Sequence, residues 1–152
     1  MRSRGNRDSA VPDPWSFLAA ELPDVVLIRE RIPEPGRYYD DRRAIVLRKG
    51  LSIEAERRYL WHEVVHAIRR DAACHGWARH TMERSVDREA AHRAMPLAAM
   101  EAGMARSATW VDFVWAMKVP EPWVHFRLEI AHPAELVIVE RACRWLSAES
   151  TA

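Results

Sequence analysis

Several features that would identify a protein class are missing from this sequence. It has only two cysteines, Cys74 and Cys143, which are far apart and give no disulfide framework. It has no run of 18 apolar residues, so we expect no membrane span. Neither sign of charge is in excess, with 23 basic and 22 acidic residues, which argues against nucleic acid or a membrane surface as the main partner. The arginines near the N-terminus are followed by no apolar stretch, so we expect no secretory signal and a cytoplasmic protein.

The chain is long enough for a single domain with its own core. Of its 152 residues, 49% are apolar and 30% charged, which is ordinary for a globular protein. We expect a flexible N-terminus over 1–14, where Pro12 and Pro14 interrupt a polar stretch. A core domain over 15–103 and a helical C-terminal module over 104–152, packed on that core, complete the predicted organisation.

The pattern of residues predicts an α+β fold. The β-branched stretch 25–31 ends at Pro33 and is followed by a hairpin-like stretch over 37–50, which together predict a small antiparallel three-stranded sheet. From Ser52, a plausible N-cap, the pattern becomes helical to about Arg70. A loop with Gly76 as a breaker leads to a second predicted helix, Met82 to Met95. The module is expected to hold helices near 107–118, 121–131 and 133–147.

The first predicted helix carries the segment HEVVH at residues 62–66. Residues four apart on a helix are one turn apart on the same side, so His62 and His66 can reach one ion. Zinc accepts imidazole nitrogen, and Glu63 beside them is placed to take a proton from a water molecule, which is the logic of the H-E-x-x-H motif. Trp61, Val64, Val65 and Ile68 form an apolar stripe on the other side of this helix, so the histidines face a different surface.

A third ligand is needed for a zinc site of this kind. Glu83 and Asp87 share one face of the second predicted helix with small alanines, which would allow close approach to another helix. We assign Glu83 as the third metal ligand and Asp87 as the partner that orients a ligating histidine. Asp87 as the direct ligand is the main alternative. The loop residues Cys74, His75 and His80 are further candidate ligands, in place of Glu83 or in addition to it.

The order of these motifs resembles the ImmA/IrrE family of metallo-endopeptidases, in particular its small actinobacterial and phage-type members. The family typically reads H-E-[LV]-x-H and, later, E-x-E-A-[ND]-x-F-A-A-x-L-L-M-P. HEVVH matches in full, and ERSVDREAAHRAMP matches at Glu83, Asp87, two alanines and the closing Met95-Pro96. It departs at Ser85 and three further positions. The resemblance covers about residues 24–100.

The resemblance implies a zincin-like helix pair with zinc held by His62, His66 and Glu83, and with Glu63 as the catalytic base. It implies a zinc-dependent endopeptidase in a bacterial or phage-infected cytoplasm. By the same resemblance the expected substrate is a regulatory protein, such as a helix-turn-helix repressor of a phage or mobile element. Neither a membrane nor a nucleic acid is expected as a partner.

Two alternatives come from other functional classes. The chain could be a catalytically silent regulator that binds protein or DNA, because the module has a helix-turn-helix outline with His125 and Arg127 on the possible recognition helix. Its charge speaks against DNA, since 104–152 carries 5 basic and 6 acidic residues. Zinc could also be purely structural if Cys74 or His75 supplied a fourth ligand and closed the site.

Overall fold

A computed structural model describes residues 10–71 and 76–145 of the chain. Within these residues the fold is α+β, with one three-stranded sheet and seven helices, so the predicted class is confirmed. Most of the predicted flexible N-terminus lies outside the described residues, but Asp13 caps the first helix and Pro14 begins it. In chain order the elements are α1 (Pro14–Glu21), β1 (Val26–Glu30), β2 (Gly36–Tyr39), β3 (Ala44–Arg48), α2 (Ile53–Arg69), α3 (Trp77–Ala94), α4 (Leu97–Arg106), α5 (Trp110–Met117), α6 (Glu121–Glu129) and α7 (Pro133–Ala142).

The prediction of an antiparallel sheet is wrong for one of its two pairings. The strand order is β1-β3-β2, with β2 antiparallel to β3 and β1 parallel to β3. The chain passes from β1 to the far side of the sheet before β3 returns between the two earlier strands. Ile45 and Leu47 of this central strand are fully buried. Strand β2 therefore lies at an edge, where it contacts α2.

The helix α2 has the start and the apolar face that the sequence predicts. The Ser52 side chain accepts a hydrogen bond from the Ala55 N–H, and acidic residues in the first turn suit the positive end of the helix dipole. Trp61, Val64 and Val65 are buried, but Ile68 is 36% exposed, so the buried stripe ends one turn earlier than predicted. The helix thus turns its middle section, which holds the HEVVH segment, into the interior.

The helix α3 starts at Trp77, earlier than the predicted Met82. Its first two turns bury no side chain, and Val86 is its first buried residue. The alanines Ala90, Ala91 and Ala94 are fully buried, and α3 contacts α2. Small side chains on this face allow the close helix contact that the sequence predicts.

The described residues divide into two compact units, one formed by 13–71 and 76–94 and the other by 95–145 together with residues 10–12. The sheet and helices α1 to α3 belong to the first unit, and α4 to α7 to the second. The division at residue 95 differs from the proposed boundary at 103/104, which stays a prediction. No helix of the described segments is both long and apolar enough to cross a membrane.

The possible recognition helix, α6, carries Arg127 as a buried side chain. Arg127 is 0% exposed; its Nε donates to the Met95 carbonyl at 3.0 Å and its guanidinium pairs with Glu135 at 2.8 Å. Arg127 therefore fixes α6 to its neighbours inside the unit. The exposed side chains of α6 include Glu121, His125 and Glu129.

Candidate metal centre

Helix α2 carries three of the predicted site residues within one turn and a half. His62 is half-buried, while Glu63 and His66 are 6% and 8% exposed. The two imidazole rings lie edge to face, with centroids 4.9 Å apart. The one-turn spacing of the histidines therefore places their rings side by side, as the sequence predicts.

Helix α3 brings Glu83 to the same point. Its Oε2 lies 3.0 Å from His62 Nε2 and 3.5 Å from His66 Nε2, and the two Nε2 atoms are 3.1 Å apart. His62, His66 and Glu83 are the group among the described residues whose ligand atoms converge closely enough to hold a metal ion. The structure thus joins the three residues assigned as ligands.

The two Nε2 atoms and Glu83 Oε2 form a triangle, and the lengths of its sides fit a small tetrahedral ion. A tetrahedral zinc with bonds of about 2.0–2.1 Å separates its ligand atoms by roughly 3.3 Å. The three observed separations, 3.0 to 3.5 Å, bracket that value. Two imidazole nitrogens and one carboxylate oxygen are also a donor set that zinc accepts, although it does not exclude other transition metals.

The far side of each imidazole ring is bonded to a carboxylate. His62 Nδ1 donates to Asp87 Oδ1 at 2.8 Å, the contact expected for Asp87 as an orienting residue. His66 Nδ1 donates to Asp71 Oδ2 at 3.0 Å, a contact that the sequence reasoning missed. Both hydrogen bonds leave Nε2 of each ring turned towards the common point, and such carboxylates also raise the basicity of a ligating histidine.

Charges within this group shift the pKa values of the protein side chains. Burial lowers the pKa of His62, but its hydrogen bonds to Asp87 and Glu83 outweigh burial and raise that pKa to about 10. The hydrogen bond from His62 lowers the pKa of Glu83 to about 2. Burial raises the pKa of Glu63 to about 7, against the opposing charge of His62. The carboxylate of Glu83 and the imidazole of His62 therefore stabilise each other, whereas burial favours the neutral form of Glu63.

Glu63 lies against the edge strand β2. A Cβ added to Gly36 would be 3.0 Å from Glu63 Oε1 and 3.0 Å from Leu47 Cδ2, so any larger residue would have to displace one of them. The backbone N–H of Tyr38 donates to the Glu63 carboxylate and favours its charged form. The carboxylate is thus fixed between α2 and the free edge of the sheet, next to the charges of His62 and Glu83.

The alternative ligands are placed differently. Cys74 and His75 lie outside the described residues. His80 is exposed in the first turn of α3 and takes no part in the converging group. Asp87 reaches His62 through the outer nitrogen of the ring, so its contact is that of an orienting residue.

The motifs HEVVH and ERSVDREAAHRAMP carry the resemblance to ImmA/IrrE metallo-endopeptidases, and their ligand positions are the residues that meet in the triangle. That resemblance stays a prediction. Compared with protein-family models, with curated proteins and with solved structures, the chain matches none.

Proposed function

We propose that this chain is a zinc-dependent endopeptidase of the ImmA/IrrE type, with a zincin-like helix pair as its catalytic core. The observation that carries the proposal is the triangle of His62, His66 and Glu83 donor atoms with the buried carboxylate of Glu63 beside it. A metal held by three protein ligands keeps a position for water or substrate, which is the arrangement of catalytic rather than structural zinc.

Each residue then has a definite task. His62, His66 and Glu83 would hold the zinc, and Asp87 and Asp71 would keep the two imidazoles in the orientation that presents Nε2. Bound zinc supplies Lewis acidity, which polarises a carbonyl and lets a water molecule lose a proton near neutral pH. Glu63 would accept a proton from the attacking water molecule and pass it to the leaving amine when the C–N bond breaks.

The edge strand supports a polypeptide as the substrate. Among the described residues β2 pairs with no strand other than β3, and Glu63 lies beside β2 at Gly36 and Tyr38. An extended peptide can add to such an edge through main-chain hydrogen bonds, which would bring a peptide carbonyl near the carboxylate. By the resemblance, a transcriptional repressor in the same cytoplasm is the proposed natural substrate.

The rival functions make different use of the same residues. A structural zinc would need a fourth protein ligand in addition to His62, His66 and Glu83, and the candidates Cys74 and His75 lie outside the described residues. A silent binding protein would have no need for a carboxylate buried next to the histidines. Burial of a charged group is costly, so a functional role accounts for Glu63 better than a scaffold does.

The test is a matched set of variants incubated with a peptide library derived from a bacterial proteome. The zinc-loaded chain should generate new N-termini detectable by mass spectrometry, and a chelator should stop their formation. Glu63→Gln should keep about one zinc per chain but lose cleavage by a factor of about 100 or more. Equal cleavage by the Glu63→Gln variant, or no cleavage by the zinc-loaded chain, would refute the proposal.

A further inference from the structure

The exposed side of α3 carries one aromatic and two basic side chains beside the candidate metal centre. Trp77 is 82% exposed, and Arg84 and Arg88 are exposed as well. At 3.6 residues per turn these three side chains lie within about 40° of one another around the helix axis. We call Trp77, Arg84 and Arg88 the Trp–Arg stripe.

The two arginines of the stripe are not used within the fold. Neither forms an ion pair with any residue in 10–71 or 76–145. By contrast, Arg69 of α2 and Arg93 of α3 both pair with Glu89, at 2.6 and 2.9 Å. This side of α3 therefore presents an indole and two guanidinium groups to solvent.

The stripe runs next to the proposed catalytic site. Glu83 immediately precedes Arg84 and Asp87 immediately precedes Arg88, so the metal-facing side and the stripe are about 100° apart on the same helix. The stripe therefore runs along the same helix turns that carry Glu83 and Asp87. This position suits a subsite for a part of the substrate beyond the cleaved bond.

We propose that the Trp–Arg stripe binds an acidic segment of the polypeptide substrate. This inference rests on the proposed function and specifies the substrate class. A guanidinium group pairs with a carboxylate through two parallel hydrogen bonds, and the indole offers apolar contact to the intervening side chains. Nucleic acid fits less well, because proteins that bind it typically neutralise about 6–10 phosphates and the stripe has two arginines.

Binding is measured by fluorescence anisotropy with a labelled peptide of alternating glutamate and alanine. The matched probe replaces each glutamate by glutamine, and a short DNA duplex is the third probe. The acidic peptide should bind about fivefold or more tightly than its glutamine counterpart, and the difference should shrink as salt increases. The double variant Arg84→Glu/Arg88→Glu should lose the preference. The control, Lys49→Glu/Arg106→Glu, makes the same charge change at two other exposed positions and should keep it.

The same variants are then incubated with the peptide library, and the cleavage products are identified by mass spectrometry. Sites flanked by acidic residues should be enriched among the products, and Arg84→Glu/Arg88→Glu should raise KM for them while kcat is preserved. Equal affinity for both peptides, tighter binding of duplex DNA, or cleavage without an acidic preference would overturn the inference and leave the hydrolase proposal standing. Preferential binding of the acidic peptide with no cleavage of any peptide would overturn the hydrolase proposal instead.

Discussion

Asp71 follows the C-terminal end of α2, yet its carboxylate accepts a hydrogen bond from the ring of His66 at 3.0 Å. Arg70 ends the helix in the left-handed conformation, with φ of 56°, and this turn brings the next residue back towards the last helical turn. The Asp71 backbone N–H also donates to the His66 carbonyl at 3.1 Å. The end of the helix thus positions the second metal-facing imidazole.

Asp71→Asn should weaken zinc binding because a neutral amide oxygen is a weaker hydrogen-bond acceptor than a carboxylate. It holds the His66 ring less firmly and raises the basicity of that ring less. We expect a loss of about 10- to 100-fold in affinity, measured by competition with a chromophoric chelator. Asp41→Asn, at a side chain that is 76% exposed, is the control and should bind zinc like the unchanged chain. Unchanged affinity in Asp71→Asn would show that the contact has no role in metal binding.

Gly36→Ala should separate metal binding from catalysis. The new Cβ would lie 3.0 Å from both Glu63 Oε1 and Leu47 Cδ2, so both side chains would have to shift by a few tenths of an ångström, which disturbs the position of the carboxylate. We expect normal zinc affinity with kcat reduced about tenfold or more, since a general base contributes about 100- to 10,000-fold when well placed. The measurement is the cleavage rate of one library peptide at saturating substrate. A kcat equal to that of the unchanged chain would mean that Glu63 is not held there for catalysis.

The sequence predicts most of the candidate site because its geometry is local. The one-turn spacing of His62 and His66 fixes their relation within α2, and the helical pattern around Glu83, together with the family resemblance, leads to the third residue of the triangle. Asp71 was missed because an arginine at the helix end gives no sign of a left-handed turn; that conformation is more typical of glycine. The hydrogen bond between His66 and Asp71 is therefore known from the structure and could not be predicted from the sequence.

Prediction of the fold fails where pairing or burial is not local. The parallel pairing of β1 with β3 depends on the path between strands, and a stretch of β-branched residues does not encode which neighbour it will have. Helix α3 begins at Trp77 although its first turns bury nothing, so the apolar periodicity that signals a helix is absent there. The start of α2 was predicted correctly because Ser52 is a local capping signal.

Replacing Arg127 should destabilise the second unit. Arg127→Met leaves the carboxylate of Glu135 without its guanidinium partner and the Met95 carbonyl without a donor. We expect a loss of about 3 kcal/mol in the free energy of unfolding, measured by denaturant titration. Arg141→Met, on an exposed position of α7, should change that free energy by less than about 0.5 kcal/mol. A similar small change in both variants would contradict the role assigned to Arg127.

The contacts of Glu89 predict a pH dependence of stability. Burial raises the pKa of Glu89, but hydrogen bonds from Arg69 and Arg93 outweigh it, and the net shift is downward. Because the folded-state pKa lies below the unfolded one, the charged carboxylate stabilises the fold above the unfolded pKa, and this stabilisation is lost as pH falls through the folded pKa. Glu89→Gln should therefore be less stable near neutral pH and should lose less stability on acidification. Parallel curves of unfolding free energy against pH for both chains would contradict this.

We propose that the triangle of His62, His66 and Glu83 binds a catalytic metal. A crystal structure of the zinc-loaded chain, with anomalous diffraction at the zinc edge, tests it most directly. The account predicts one strong anomalous peak bonded to Nε2 of both histidines and to a Glu83 oxygen, with a non-protein ligand completing the coordination. A peak elsewhere, or four protein ligands around the ion, would contradict it.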